Sequence, residues 1–279
     1  MTVITRFAPG PTGLLHLGHA RAALFAARAA RDAGGRFLVR IEDIDRARCR
    51  PEFEQAIFED LAWLGLNWAQ PVRRQSEHFA DYHAALTRLD RLGVIYPCFC
   101  SRKDIAEASG APHADEERGV IYPGLCRSLP PDQRAERMDS GAPFALRLNV
   151  AAALSLTGPV SWTDRSAGVQ HVESDRQGDV VLARKDTPTS YHLSVTVDDA
   201  VQGITLVTRG LDLLRATDIH RLLQALLGLP VPHYHHHGLL TGADGRRLSK
   251  RDGATSIQTL RAAGHTPAAV QAMAGFEAA

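Results

Sequence analysis

Two histidines lie three positions apart near the amino terminus, in the run His16-Leu17-Gly18-His19. Imidazoles donate hydrogen bonds to phosphate oxygens, and the first turn of a helix adds unpaired backbone N–H groups and the positive end of a dipole. Because Gly18 has no side chain, a purine or a ribose could approach the backbone there. The spacing indicates a site for a nucleotide phosphate chain, although an ordinary helix start that carries two histidines has the same pattern.

A basic run, RLSKR, occupies positions 247–251. A cationic loop can close over a triphosphate and stabilise the charge that builds up at the α-phosphorus during displacement. Lysine is rare in this arginine-rich chain, so its presence as Lys250 indicates a need for a compact ammonium group. The alternative is a basic loop that is merely solvated.

Three of the four cysteines, Cys98, Cys100 and Cys126, fall within one short stretch. A Cys-x-Cys pair rarely closes a disulfide, whereas three thiolates fill three of the four positions around a tetrahedral zinc ion. On residue type alone, either His113 or Tyr122 could supply the fourth ligand. The competing interpretation is a set of free cysteines in a loop.

Cys49 and the run His235-His236-His237 are further possible metal ligands. Cys49 stands apart from the other cysteines, and we interpret it as an incidental thiol. Consecutive side chains of an extended segment point in opposite directions, so three adjacent histidines cannot all face one ion. We therefore expect the histidines to pack beside the basic run.

The elements that must position these residues begin with a strand over 3–8, a Pro-Gly turn, a helix over 15–33 and a strand over 36–45. This order is the βαβ unit of a doubly wound parallel sheet. Apolar spacing predicts further helices over 51–68 and 81–93. Apolar runs at 189–199 and 203–210 are expected to be buried strands, and 213–228 is expected to be an amphipathic helix.

The segment from 97 to 145 is rich in Cys, Pro, Gly and charge, and short strand-like pieces follow it. We interpret 97–185 as an insertion that interrupts a catalytic domain formed by residues 1–96 and 186–254. Residues 255–279 would then form a short carboxyl-terminal tail.

Composition narrows the classes of protein that this chain can belong to. The chain has 279 residues and a formal net charge of +1, so no global attraction to nucleic acid or membranes is expected. No apolar run approaches the ~18 residues that a membrane-spanning helix needs, and the amino terminus lacks the features of a signal peptide. A cytoplasmic location without structural disulfides is the expectation.

Four ordered motifs together resemble the class I aminoacyl-tRNA synthetases of the glutamyl branch: RFAPGPTGLLHLGHA, RIEDID, DDAVQGITLVTRG and GRRLSKRDGAT. The resemblance runs from Thr5 to about Thr255. It implies an α/β class I synthetase fold, with a Rossmann-type doubly wound parallel sheet and a zinc-bearing insertion. It also implies catalytic roles for His16, His19 and Lys250. The residues that it implies for ATP binding are His16, Gly18, His19, Leu248, Ser249 and Lys250.

The same resemblance implies a glutamate pocket formed by Arg6, Phe7, Ala8, Pro9, Gly10, Glu42, Tyr191 and Arg209. Guanidinium groups pair in a bidentate manner with carboxylates, which suits Arg6 and Arg209 to a dicarboxylate substrate. Glu42 would receive the α-ammonium and Tyr191 would close the pocket, although a solvated strand end and ordinary sheet packing are the alternatives. Two positions depart from the family pattern: Gly10 replaces a serine, and Arg247 replaces a lysine.

The spacing Cys-x-Cys followed by Tyr-x-x-x-Cys is similar to that of the glutamyl-queuosine tRNA(Asp) synthetases, which implies Tyr122 as the fourth zinc ligand. Because few residues follow the basic run, we also expect no large anticodon-binding region. This family activates L-glutamate with ATP and Mg²⁺ and transfers it to the queuosine base in the anticodon loop of tRNA(Asp). We therefore expect that activity, one structural Zn²⁺ and no membrane partner.

Three other functions are compatible with parts of the pattern. One is a truncated catalytic fragment of an ordinary glutamyl-tRNA synthetase, and another is a non-catalytic regulator that binds ATP or RNA. A third is a different nucleotidyltransferase with the His-x-Gly-His motif, which would have no use for the glutamate-pocket residues.

Overall fold

A computed structural model of the chain describes residues 2–108, 121–173, 178–240 and 255–276. The predicted residues His113, Leu248, Ser249 and Lys250 lie outside these ranges. The strands in the described part are β1 Ile4–Phe7, β2 Arg36–Ile41, β3 Ala69–Arg74, β4 Ile95–Cys98, β5 Ala145–Leu148, β6 Ser161–Asp164, β7 Gly168–His171, β8 Val181–Ala183, β9 Leu206–Gly210 and β10 His233–His237.

Helices alternate with these strands over most of the chain. They are α1 Leu17–Asp32, α2 Pro51–Trp63, α3 Phe79–Arg91, α4 Arg102–Ala108, α5 Pro131–Asp139, α6 Val150–Thr157, α7 Tyr191–Val201, α8 Ala216–Leu227, α9 Ile257–Ala262 and α10 Pro267–Met273. None of the helices in the described ranges is long and apolar enough to cross a bilayer.

Parallel strands form the centre of the fold. Strand β2 pairs in parallel with β1 and β3, and β10 pairs in parallel with β9 and β6. The two groups meet where the Thr205 backbone N–H donates to the Ile4 carbonyl at 3.0 Å. Strand β7 adds to the edge in the antiparallel sense. The predicted α/β class with a parallel sheet is therefore confirmed.

Helix α1 packs closely on this sheet because small residues line its inner face. Ala20, Ala23, Ala26 and Ala30 are buried there. The Thr5 hydroxyl of β1 donates to the Ala26 carbonyl at 2.8 Å, which is possible only when strand and helix approach closely. The alanine bias of this segment therefore serves to place the start of α1 at the carboxyl end of β1.

One predicted element is wrong. The segment 189–199 was expected to be a buried strand, but it forms the start of helix α7. Consecutive residues from Leu193 to Asp199 are all buried, so the helix has no solvent-exposed face over this stretch. A helix that is buried on every side shows no 3.6-residue periodicity, and its β-branched residues favour strand when the sequence is considered alone.

The segment 97–185, predicted to be an insertion, contributes to two sheets. Strands β4, β5 and β8 form a separate antiparallel sheet. Strands β6 and β7, however, extend the sheet that contains β10 and β9. The domain bounds remain a prediction, and part of the proposed insertion is built into the central sheet.

Candidate active site

A cavity of about 440 Å³ opens at the carboxyl ends of β1 and β9, beside the start of α1. Ligand sites in open parallel α/β sheets lie at such an edge. The cavity gathers every described residue that was predicted to bind ATP or glutamate: Arg6, Phe7, Ala8, Pro9, Gly10, His16, Gly18, His19, Glu42, Tyr191 and Arg209. Their individual roles remain predictions.

The two histidines of the His-x-Gly-His motif form a reciprocal cap at the start of α1. The Gly18 backbone N–H donates to His16 Nδ1, and the His16 backbone N–H donates to His19 Nδ1, both at 3.1 Å. A ring nitrogen that accepts a hydrogen bond carries no proton, so in both neutral rings the proton resides on Nε2. Each imidazole can then donate through Nε2 to a phosphate oxygen.

Gly18 is required for this cap. A Cβ at this position would lie 2.9 Å from Cε1 of His16, which is closer than real Cβ contacts allow. At Gly10, a Cβ would lie 3.0 Å from the Glu42 carbonyl oxygen, so the strand β2 edge approaches the Pro-Gly turn closely. At the position where Gly10 replaces the family's serine, the backbone of Glu42 therefore lies close to the Pro-Gly turn.

Arg6 lies in a buried network of ion pairs. Its Nε donates to Asp199 Oδ1 at 2.9 Å, and its Nη1 donates to the Thr208 carbonyl at 3.2 Å. Arg40 donates to the same Asp199 oxygen at 2.7 Å. Although burial alone would raise the pKa of Asp199, the two guanidinium groups outweigh it and lower that pKa. The charge of Arg6 is therefore already neutralised by the protein.

Glu42 differs from the neighbouring Asp199 because its pKa is raised. It accepts a hydrogen bond from Arg40 Nη2 at 3.1 Å, yet burial outweighs the attraction of Arg40 and Arg6. Burial disfavours the charged form of a carboxylate that has too few partners. An ammonium group of a bound ligand would stabilise the charged form of Glu42.

Arg209 of β9 is held by neutral side chains within the described part of the chain. It donates through Nε to His236 at 3.2 Å, through Nη2 to Thr217 at 2.5 Å, and through Nη1 to His220 at 3.1 Å. The Tyr191 hydroxyl accepts a longer bond of 3.5 Å. A buried guanidinium without a carboxylate partner favours a ligand that carries a negative charge.

Several residues that organise the cavity were not predicted from the sequence. They are Arg40, Asp164, Asp199, Thr217, His220 and His236, all of them buried. Two of them left a signal, since Arg40 interrupts the apolar run RFLVRI and Asp199 ends an apolar segment. His236 belongs to the histidine run noted in the sequence, but its contact with Arg209 was not predicted. Asp164, Thr217 and His220 left no signal, because their partners are distant in sequence.

The described residues that flank the basic run both lie beside the cavity. Leu240 lines it, and Ser256 forms a β-bridge with His16. The Ile257 backbone N–H also donates to the Leu15 carbonyl at 2.8 Å, which attaches α9 to the residue before the histidine motif. The described residues on either side of the basic run therefore both lie near the cap of α1.

A second candidate site lies at the end of β4. The sulfur atoms of Cys98, Cys100 and Cys126 all lie within 4.8 Å of one another. The Tyr122 hydroxyl lies 3.4 Å from the sulfur of Cys98 and 3.7 Å from that of Cys100. Three sulfurs and one phenol oxygen thus converge on one point, which fits a tetrahedral metal ion.

The electrostatics of this cluster also suit a cation. Burial raises the pKa of Cys100 to about 12, so without a metal this thiol stays protonated. Burial also acts to raise the pKa of Cys126, but hydrogen bonds from the Phe99 backbone N–H and from neighbouring side chains lower it overall. Cys49 is outside the cluster and is a free cysteine.

The three histidines of β10 do not form a metal site with other described residues. The cysteine cluster is the single group of potential metal ligands found in the described ranges. His236 instead pairs with Asp164, at 2.7 Å between Nδ1 and Oδ2. His235 and His237 lie against Phe25 of α1. His236 and His237 are buried, whereas the basic run beside which they were expected to pack lies outside the described residues.

Comparison with known proteins decides the family. Residues 2–275 match the model of the catalytic domain of class I tRNA synthetases for E and Q. The chain belongs to this family. It is a ligase of the aminoacyl-tRNA synthetase type, and the family transfers activated amino acids to tRNA.

The chain is also similar to individual members. It is 50% identical to a glutamyl-Q tRNA(Asp) synthetase of Rhodobacter capsulatus, over 98% of this chain and 100% of the relative. It is 45% identical to a protein of the same name from Symbiobacterium thermophilum, over 95% of this chain and 83% of the relative. The resemblance found in the sequence is therefore confirmed.

Solved structures give the same result for the fold. A glutamate-tRNA synthetase from Elizabethkingia anophelis superposes with a TM-score of 0.77 at 30% identity. The match covers 91% of this chain and 53% of that synthetase. The class I synthetase fold expected from the motifs is thus confirmed.

Proposed function

We propose that this chain activates L-glutamate with ATP and transfers it to the queuosine base in the anticodon loop of tRNA(Asp). The observation that supports this proposal best is the cavity itself. It combines histidine donors at a helix start with Glu42, which favours a cation, and Arg209, which favours an anion. These are the groups that a phosphate chain, an ammonium and a carboxylate need.

In the activation step, an oxygen of the glutamate α-carboxylate attacks the α-phosphorus of ATP, and the bond to pyrophosphate breaks. No protein nucleophile is required, so positioning and charge stabilisation account for catalysis. The Nε2–H groups of His16 and His19 hold phosphate oxygens. Lys250 is proposed to stabilise the developing charge, which is supported by the position of Leu240 and Ser256 beside the cavity. Mg²⁺ bound with ATP balances the charge of the departing pyrophosphate.

Glutamate would be held by both charged walls of the cavity. Glu42 pairs with its α-ammonium, and Arg209 pairs with its side-chain carboxylate. Arg6 is neutralised by Asp199, so its contribution is a hydrogen-bond donor held in a fixed plane. The Tyr191 hydroxyl accepts a hydrogen bond from Arg209, and the Tyr191 side chain closes the wall of the cavity beside it.

In the transfer step, a hydroxyl oxygen of the queuosine cyclopentene ring attacks the glutamyl carbonyl carbon. The bond from that carbon to the adenylate oxygen breaks, AMP leaves with the electron pair, and the hydroxyl proton passes to the released phosphate. A hydroxyl-bearing base can be presented to a cleft when it is splayed out of a loop. The reaction with a tRNA also supports a cytoplasmic location.

We further propose that the cysteine cluster holds one structural Zn²⁺ through Cys98, Cys100, Cys126 and Tyr122. The cluster is packed in a small apolar core with Tyr96, so little other burial stabilises this part of the chain. A structural zinc ion contributes free energy directly to folding.

The decisive experiment is to identify the RNA that accepts radiolabelled glutamate. We expect labelling of tRNA(Asp) that contains queuosine, or of its isolated anticodon stem-loop. Matched tRNA(Asp) without queuosine should not be labelled. Labelling of tRNA(Glu) would instead support a fragment of an ordinary glutamyl-tRNA synthetase. The observation behind that alternative is the 39% identity to a glutamate–tRNA ligase of Aquifex aeolicus, over 96% of this chain and 55% of that ligase.

A further inference from the structure

A row of buried and half-buried polar side chains surrounds Arg209 on the side formed by β6, β10, α7 and α8. Its members are Asp164, His236, Thr217, His220 and His192. The rings of His236 and His220 are buried, and both contact the guanidinium group directly. No residue of this row was implied by the family motifs.

The donors in this row determine the protonation of each ring. A guanidinium group only donates, so His236 Nε2 and His220 Nδ1 must both be acceptors without a proton. The remaining proton of His236 then lies on Nδ1 and is donated to Asp164 at 2.7 Å. The remaining proton of His220 lies on Nε2 and is donated to His192 Nδ1 at 3.2 Å.

We infer that Asp164, His236, His220 and His192 form a positioning chain that fixes the tautomers of two histidines and thereby the plane of Arg209. This inference rests on the proposed role of Arg209 in binding the glutamate carboxylate. The four residues do not touch substrate in this role. They act through Arg209 and determine which amino acid the cavity selects.

The charges around the chain agree with neutral rings. Burial, together with the positive charge of Arg209, lowers the pKa of His236 and of His192 to about 4. Asp164 stays charged, because its hydrogen bonds from His236 and from the backbone N–H groups of Ser166 and Ala167 outweigh its burial. Two of its bonds come from residues of the β6–β7 turn, so the segment expected to be an insertion helps to hold the cavity.

The test compares His220→Leu with His220→Asn. The leucine removes the acceptor for Arg209, whereas the asparagine oxygen replaces Nδ1. In glutamate-dependent ATP–pyrophosphate exchange, we expect His220→Leu to raise the KM for glutamate about tenfold or more, because a hydrogen bond to a charged group is lost. The KM for ATP should not change, and His220→Asn should restore most of the affinity. Equal KM values for glutamate in the two variants would overturn the proposal.

A double-mutant cycle separates positioning from a general loss of structure. If His220 acts through Arg209, the effect of His220→Leu on the KM for glutamate should shrink strongly in an Arg209→Lys background. Additive effects would overturn the inference. If Arg209→Lys alone leaves the KM for glutamate unchanged, the role assigned to Arg209 fails as well.

The tautomers can be measured on the wild-type protein without any activity. Nitrogen chemical shifts of ¹⁵N-labelled histidines at neutral pH should show a neutral His236 protonated on Nδ1 and a neutral His220 protonated on Nε2. A charged ring, or the opposite tautomer of either histidine, would overturn the chain even if glutamate activation were confirmed. The expected shifts would support the chain even if the substrate proved different.

Discussion

At the scale of single residues, the cap of α1 explains why a glycine separates the two histidines. Gly18 both donates to His16 and leaves room for its ring. The motif therefore fixes the imidazole protons on the Nε2 atoms, so that both rings enter phosphate recognition in one defined tautomer.

Gly18→Ala tests this interpretation. The added Cβ would displace the His16 ring and disrupt the reciprocal cap. We expect the KM for ATP in pyrophosphate exchange to rise by about tenfold, which corresponds to the loss of one or two hydrogen bonds to phosphate. The KM for glutamate serves as the internal control and should change little. An unchanged KM for ATP would contradict the role of the cap.

Discrimination between glutamate and glutamine also depends on a single residue, Arg209. Arg209 has no carboxylate partner in the described residues, so a neutral side chain would leave a buried charge uncompensated. We expect kcat/KM for glutamine to be at least ~100-fold lower than for glutamate in the exchange assay. Aspartate should also be a poor substrate, because its shorter side chain cannot span the distance from Glu42 to Arg209.

Arg209→Gln provides the matched variant for that comparison. It removes the positive charge and keeps a donor, so the preference for glutamate over glutamine should fall sharply. A variant that retains the full preference would show that another residue recognises the side-chain carboxylate.

The raised pKa of Glu42 predicts a pH effect on binding. Only the charged carboxylate attracts an α-ammonium, so glutamate affinity is complete well above this pKa and is lost as the pH falls through it. Because burial raises the pKa of Glu42 above its usual value of 4.5, the loss begins at a higher pH than for an exposed carboxylate. We expect the KM for glutamate to rise as the pH is lowered from neutral, and to do so at a higher pH than an exposed carboxylate would allow.

Glu42→Gln is the control for this measurement. Its KM for glutamate should be high at every pH and should show only the shallow dependence that comes from titration of the substrate. A wild-type profile that is as flat as that of the variant would contradict the assignment.

At the scale of helices and strands, prediction from the sequence succeeded where local pattern and tertiary environment agree. Helix α1 has its apolar stripe, its cap and its terminating glycines within one segment, and β2 is a continuous apolar run. Helix α7 could not be predicted, because burial on all sides removes the periodic signal. Its paired acids, Asp198 and Asp199, have basic partners on β1, β2 and β3, more than a hundred positions away.

The residues of the candidate cavity that belong to sequence motifs were also predictable. Motif residues such as Arg6 and His16 are close to turns whose chemistry is visible in the sequence. The residues that hold them come from distant strands and helices, as with Asp164 against His236. Spacing along one segment contains no information about such contacts.

The cysteine cluster beside the sheet of β4, β5 and β8 leads to a prediction about zinc binding. Protein purified without chelators should contain about one zinc per chain, and Cys98→Ser or Cys100→Ser should lose it. Cys49→Ser is the matched control and should retain it. Tyr122→Phe removes one oxygen ligand and should weaken zinc binding about 10- to 100-fold while leaving three sulfurs in place.

Elemental analysis measures the zinc content, and limited proteolysis before and after chelation reports on the stability of this sheet. We expect faster cleavage within 97–185 when the metal is removed. Natively purified protein that lacks zinc would reject the site.

At the scale of the whole molecule, the RNA acceptor distinguishes the two synthetase functions. If glutamate is attached to the queuosine base, removal of only the terminal nucleoside of tRNA(Asp) should leave acceptance intact. Periodate treatment should abolish it, because the cyclopentene diol is oxidised together with the terminal ribose. Loss of acceptance after trimming alone would favour charging at the 3′ end.

The meeting of β1 with β9 has a consequence for synthesis of the protein. The bond between Ile4 and Thr205 joins residues 201 positions apart, and the pair of Arg6 with Asp199 spans 193 positions. On the ribosome, Arg6 and Arg40 of the first two strands emerge long before Asp199, the carboxylate that both contact. The ion pairs that join these two strands to α7 can therefore form only when the last third of the chain is being translated, and a nascent chain that pauses earlier lacks the carboxylate that holds Arg6.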